Sequence, residues 1–349
     1  MKECIKEEEN MNIVRFSEEH IEQAIKIALA NYRMERQFVP ALPQEEKLPL
    51  KNVLLDMEHF AKSGLGTAVV DNHQLLGFCC GYMPIEDVFG TTGVRGTFIP
   101  IHGHGVMSRI IGKDRDRMYS RLYQATAEEW IKAGIRSHAI ALYAHDRVAI
   151  NSFFYNGFGL RCLDLIRFLE EDLEPVRNPT ITKDIRYEEL GREDWKGLLI
   201  LHNGLLDHIG GSPVFMSFPK MDEEALYEHA AEGVRYFAAY LDREPIAYIK
   251  LGETGENFVT EHAGMINICG AYCSPKYRGI GIYHNLLAYM ITQLRKEGYQ
   301  LLGVDCESFN PTARAFWTKY FTEYTNSVVR RIDEKSVDAA SYKHLLPKH

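Results

Sequence analysis

Between Cys273 and Tyr283 the chain gathers the residue types from which an anion site is made. An apolar run, Ile266 to Cys273, reads as a strand and delivers Arg278-Gly279-Ile280-Gly281-Ile282-Tyr283 to the start of an amphipathic stretch. That stretch reads as a helix to about Lys296, stopped by Gly298. Glycines at such a turn let the backbone approach an anion, and the first helical N–H groups have no intrahelical partner. Aided by the helix dipole, those groups bind phosphate. The loop has neither the GxGxxG spacing nor the Lys-Ser/Thr pair of common nucleotide-binding loops.

The segment resembles the pyrophosphate loop of the GNAT superfamily of acyl-CoA-dependent N-acyltransferases, R/Q-x-x-G-x-G/A after a V/C-x-P-x-Y-R-like lead. Arg278 through Ile282 follow that pattern to its fifth place, and Tyr283 departs at the sixth, where the family prefers Gly or Ala. A second family motif, a strand, an Asn and A-x-x-F/L-Y, is matched by Leu301 to Glu307, Asn310, Ala313, Phe316 and Trp317. Specific matches lie within Cys273 to Trp317, whereas the topology of most of each half fits. The resemblance implies acetyl-CoA as co-substrate and no metal. It implies cofactor contacts from Cys273, Arg278, Gly279, Ile280, Gly281, Ile282, Tyr283 and Asn310.

Acyl transfer to an amine needs a neutral amine, a polarised carbonyl and a proton for the departing thiolate. In the family a Tyr on the last helix often supplies the proton, but here Trp317 fills its place and Phe153 fills the corresponding one in the other half. Tyr320 is therefore the candidate acid, with Tyr324 one further turn on if the helix persists. Glu307, at the end of the strand before Asn310, is the candidate base, and Glu261 and His262 are considered beside it. His102-Gly103-His104 is too sparse in ligands for a metal site, and His145-Asp146 is expected to hold a strand end.

The elements that must carry these residues occur twice. Tyr119 pairs with Tyr283, Leu122 with Leu286, Gly134 with Gly298, Asp146 with Asn310 and Ala149 with Ala313, each at an offset of 164. Near the ends, Ile166-Arg167 resembles Val329-Arg330. Each copy reads as a strand, one or two helices, a meander of strands, a helix, a strand, a second helix and a last strand. The expected fold is α/β (α+β), two tandem GNAT-like units, each a mixed, mostly antiparallel sheet flanked by helices. Expected boundaries are a disordered lead over 1–10, an N-terminal domain over 11–174, a linker over 175–182 and a C-terminal domain over 183–349. At the same offset the loop maps onto Asp114-Arg115-Asp116-Arg117-Met118-Tyr119, where both glycines are gone. Two carboxylates would repel a diphosphate there, so the N-terminal copy should hold no CoA.

The 349 residues carry 40 Lys and Arg against 48 Asp and Glu, a formal charge of -8 that disfavours nucleic acid as partner. The seven cysteines have no zinc spacing and read as reduced, which fits a cytoplasmic location. No apolar run suits a signal peptide or a membrane span. The expected function is N-acetyl transfer from acetyl-CoA to a primary amine of a small molecule, by direct attack in a ternary complex. The alternative is a catalytically silent CoA-binding or interaction module. Homodimerisation stays open.

Overall fold

The computed structural model describes residues 12–88, 93–176, 184–228, 233–253, 255 and 257–332, which fall into two compact units. The expected lead over 1–10 lies outside the described residues.

The first unit comprises the described chain to Pro40, Gln44–Leu163 and the chain from Tyr324. It begins with β1 (Asn12–Arg15), α1 (Ile21–Phe38) and α2 (Leu50–Ser63). Then come β2 (Thr67–Asp71), β3 (Gln74–Cys79), β4 (Tyr82–Ile85), β5 (Gly96–Ile99) and β6 (His104–Val106). It continues through α3 (Gly112–Lys132), β7 (Ser137–Tyr143) and α4 (Arg147–Tyr155). Strands β1-β2-β3-β6 form one sheet, and β4-β5-β7 lie in another, with β5 parallel to β7. The break between β5 and β6 falls at Pro100, which has no N–H for a continuing ladder. Phe16, Ile27, Met57, Phe60 and Phe78 fill the core under α1 and α2, and Met118, Leu122, Trp130, Ile140 and Phe153 fill the core under α3 and α4.

The second unit comprises Asp164–Glu323 together with Ala41–Pro43. Here β9 (Ile185–Glu189), α5 (Leu199–Gly210) and α6 (Glu223–Glu228) precede the meander β10 (Arg235–Leu241), β11 (Glu244–Gly252) and β12 (Met265–Cys273). α7 (Ile282–Lys296), β13 (Leu301–Glu307) and α8 (Pro311–Tyr320) follow. The sheet order β13-β12-β11-β10-β9 has one parallel pair, β12 with β13, and is otherwise antiparallel. α7 buries Ile282, Leu286, Leu287, Met290, Ile291 and Leu294, the spacing of a single helical face. Each such side chain contributes about 1.5–3 kcal/mol on burial.

The helix starts repeat as the 164 offset requires. Asp146 caps α4 by accepting from the Ala149 N–H at 3.0 Å, and Asn310 caps α8 by accepting from the Ala313 N–H at 3.3 Å. Pro311 then fills the first helical position, where a missing N–H costs nothing.

The units do not follow the linear boundaries of the sequence reading, because they exchange their last strands. In β8 (Gly159–Phe168) the chain passes into the second unit at Asp164, and that part lies beside β13. In β14 (Thr322–Arg331) the chain from Tyr324 belongs to the first unit, pairing with β7 from Thr325↔Tyr143 to Arg331↔Ser137. Both strands have a continuous buried run of five residues rather than a clean alternation, so local pattern does not mark which sheet each one joins.

Candidate functional site

In the second unit, β12 leads into a single 3-10 turn, Pro275–Tyr277, and then into the two glycines. Gly279 has φ +76° and Gly281 has φ +89°, conformations that cost most other residues about 1–2 kcal/mol. Gly281 is the N-cap of α7, and the first intrahelical bond there runs from the Asn285 N–H to the Gly281 carbonyl at 3.0 Å. The N–H groups of Ile282, Tyr283 and His284 precede it and have no intrahelical acceptor. A Cβ at Gly279 would meet nothing within 4 Å, so this side of the loop opens onto free space.

Arg278 turns inward. Its Nε donates to the Cys273 carbonyl at 2.8 Å and its guanidinium lies over the Tyr272 ring at 5.3 Å, so it ties the end of β12 to the loop. Cys273 is buried, and burial pushes its thiol up to about 11 even though Arg278 pulls the other way. The unexpected Tyr283 leaves the loop clear. Its hydroxyl donates to the Tyr248 carbonyl at 3.4 Å, and its ring meets Phe316 and Trp317 edge-on with centroids 5.0 and 6.1 Å away. Burial raises that phenol well above its ordinary range.

The loop opens onto a slot in the sheet. The parallel ladder of β12 and β13 runs from Met265↔Leu301 to Ile268↔Val304 and stops. Between β11 and β12 the register shifts from Leu251↔Ile268 to Lys250↔Gly270, leaving Cys269 as the extra residue of a bulge, which bends the strand. Among the described residues no ladder pair joins Cys269–Cys273 to β13. This unpaired segment is about 13 Å long, the length of a short extended chain running from the loop along β12.

Glu307 ends β13, on the same face as exposed Asp305, a residue the sequence reading passed over. Asn310 is buried, and its amide oxygen accepts from Ala313 N–H and from the Thr312 hydroxyl at 2.9 Å, a capping role. Trp317 is buried among Tyr283, Phe316 and Phe321. Tyr320 closes α8 and its hydroxyl lies 2.8 Å from His284 Nδ1, whose Nε2 lies 2.8 Å from the Glu174 carbonyl. Neither His284 nor Asn285 was singled out from the sequence, and no local motif marks them.

Three expectations change. The helix ends at Tyr320, where Phe321 turns extended at φ −128°, so Tyr324 belongs to β14 and is buried in the first unit. Glu261 and His262 precede β12 at its N-terminal end, whereas the loop follows its C-terminal end; across the nine residues of that strand the separation is about 27 Å. The segment of the first unit that corresponds to the loop is not a loop. α3 begins at Gly112, so the whole corresponding segment is helical. Asp114 is exposed beside Arg117, and the buried group is Arg115. Its guanidinium donates to the Val106 carbonyl at 3.0 Å, Asn31 Oδ1 at 3.3 Å, Tyr119 Oη at 3.1 Å and Asp146 Oδ2 at 2.7 Å. These bonds fix the Arg115 guanidinium among β6, α1 and the cap of α4. His104 bridges β6 to β7 through the Ala141 carbonyl at 2.8 Å, His102 meets Asp56 at 2.9 Å, and His145 sits on Glu35 at 2.7 Å.

Residues 207–321 match the family model described as Acetyltransferase (GNAT) family. Among solved structures, a GCN5-related N-acetyltransferase from Sphaerobacter thermophilus is 12% identical, with 92% of this chain and 96% of that one covered at a TM-score of 0.57. A tandem GNAT protein from the clavulanic acid biosynthesis pathway is 12% identical, with 92% and 98% covered at a TM-score of 0.48. No curated protein matched the sequence. Among the described residues no helix is long and apolar enough to cross a membrane. With a glycine loop at the head of α7 and a central β12–β13 ladder that ends at Ile268, the chain matches the GNAT acetyltransferase family over residues 207–321 and has the fold of a GCN5-related N-acetyltransferase.

Proposed function

We propose that the second unit transfers an acetyl group from acetyl-CoA to a primary amine of a small molecule, by direct attack in a ternary complex. The observation that carries this reading is the continuity of two features: the positive-φ loop Arg278–Gly281 at the head of α7 and the splay of β12 from β13 beyond Ile268. The N–H groups of Ile282, Tyr283 and His284 bind the diphosphate, and the free edge of β12 takes the extended arm and polarises the thioester carbonyl. Acetyl-CoA supplies the activated acyl group. The amine nitrogen forms a bond to the carbonyl carbon, the C–S bond breaks, and the nitrogen loses a proton to Glu307 while the thiolate gains one. Tyr320 is the proposed donor; it has an imidazole partner, which Tyr283, held on the Tyr248 carbonyl, does not.

One observation favours a silent CoA-binding module instead: Trp317 fills the place where the resemblance implies a tyrosine. Thiol release from acetyl-CoA, measured against polyamines, aminoglycosides, amino acids and peptides, separates the two. Amine-dependent release supports the enzyme, and saturable CoA binding with no turnover on the whole panel overturns it.

A further inference from the structure

The chain just before the second unit's first strand is fastened to the cofactor loop. Asp172 pairs with Arg295 on α7, and the Glu174 carbonyl accepts from His284 Nε2 at 2.8 Å. Val176 is held from both sides of its peptide by one amide: its N–H donates to Asn285 Oδ1 at 2.8 Å, and its carbonyl accepts from Asn285 Nδ2 at 3.0 Å. These bonds bring the Val176 side chain over Gly281, 3.6 Å from where a Cβ on that glycine would stand. The first and last turns of α7 thus hold a stretch whose end, Pro175 and Val176, falls in the linker of the sequence reading, although Val176 itself is 49% exposed.

The two glycines of the loop therefore have different surroundings. Gly279 faces open space, whereas Gly281 is covered by Val176. We propose that residues 172–176 form a strap that is the outer wall of the acyl-CoA diphosphate site, with the diphosphate entering on the Gly279 side and Asn285 acting as the positioning residue that seats the wall. The proposal rests on the reading of this unit as an acetyl-CoA site. It makes cofactor affinity sensitive to the charge and seating of a segment that contains no family motif.

The test is calorimetric titration of the full chain with acetyl-CoA, comparing wild type with Val176→Asp, Val176→Lys and Asn285→Ala. A carboxylate placed beside the diphosphate should raise Kd about tenfold at low salt, with the difference shrinking as ionic strength rises. Val176→Lys should bind as well as wild type or better. Loss of both Asn285 bonds should raise Kd about tenfold. Because residue 176 is exposed, the charge pair stays readable even where Asn285→Ala fails to fold. Equal affinities for Val176→Asp and Val176→Lys in a wild type that binds would overturn the strap alone. Tighter binding by Asn285→Ala would show a plug rather than a wall and would also overturn it. Absence of binding by wild type would overturn the site reading and the strap together.

Discussion

The Tyr320 hydroxyl lies 2.8 Å from His284 Nδ1, and a third group sets the direction of that bond. A carbonyl oxygen can only accept, so the Glu174 carbonyl requires a proton on His284 Nε2. In the neutral imidazole Nδ1 is then the lone pair, and Tyr320 donates to it. The Tyr320 hydrogen is thereby directed at the imidazole, and the Glu174 carbonyl fixes which ring nitrogen receives it.

If the phenol protonates the departing thiolate, Tyr320→Phe lowers kcat about 10- to 1000-fold while acetyl-CoA affinity stays nearly unchanged. His284→Gln should lower kcat in the same direction. Steady-state kinetics with a thermal melt on each variant checks this. Full turnover in a folded Tyr320→Phe protein would leave the hydroxyl a packing group.

Gly281→Asp should weaken acetyl-CoA binding by one to two orders of magnitude, about 1.4–3 kcal/mol. Three effects act together: an L residue at φ +89°, a side chain driven toward Val176 at 3.6 Å, and a carboxylate beside the diphosphate. Unchanged affinity in the folded variant would remove this loop from the site.

One acetyl-CoA should bind per chain, because the first unit has a helix, Gly112–Lys132, with an Arg115–Asp146 ion pair where the second unit has its glycine loop. A titration stoichiometry near two would contradict this. The same ion pair makes Arg115→Met a stability variant: it strands a mostly buried carboxylate and should cost about 3–5 kcal/mol in denaturant unfolding, with the stoichiometry still one.

Three buried histidines make the protein acid-sensitive. Burial pushes His104, His138 and His202 from an ordinary 6.5 down to about 4. The unfolded chain takes up these protons below about 6.5, while the folded chain resists until about 4. Stability is therefore complete above that window and falls as pH drops through it, by up to about 3 kcal/mol per histidine. Melting temperatures recorded from pH 7 to 4 should decline. His202→Gln, which removes one titration, should flatten the decline, and an unchanged slope would count against its burial as a neutral ring.

What the chain determines by itself is what a few neighbouring residues can encode. The glycine loop needs only Gly279 and Gly281 at positive φ, the caps need only Asp146 and Asn310 before a helix, and the 164 offset repeats both contexts. The absence of both glycines from Asp114 to Tyr119 was legible in the same way. Tertiary structure alone decided which last strand completes which sheet, because β8 and β14 each have a continuous buried run with no alternation to assign a face or a partner. It alone joined Tyr320 to His284 across 36 residues and His284 to Glu174 across 110. Contacts at such separations depend on how whole elements pack, and no local periodicity carries that information.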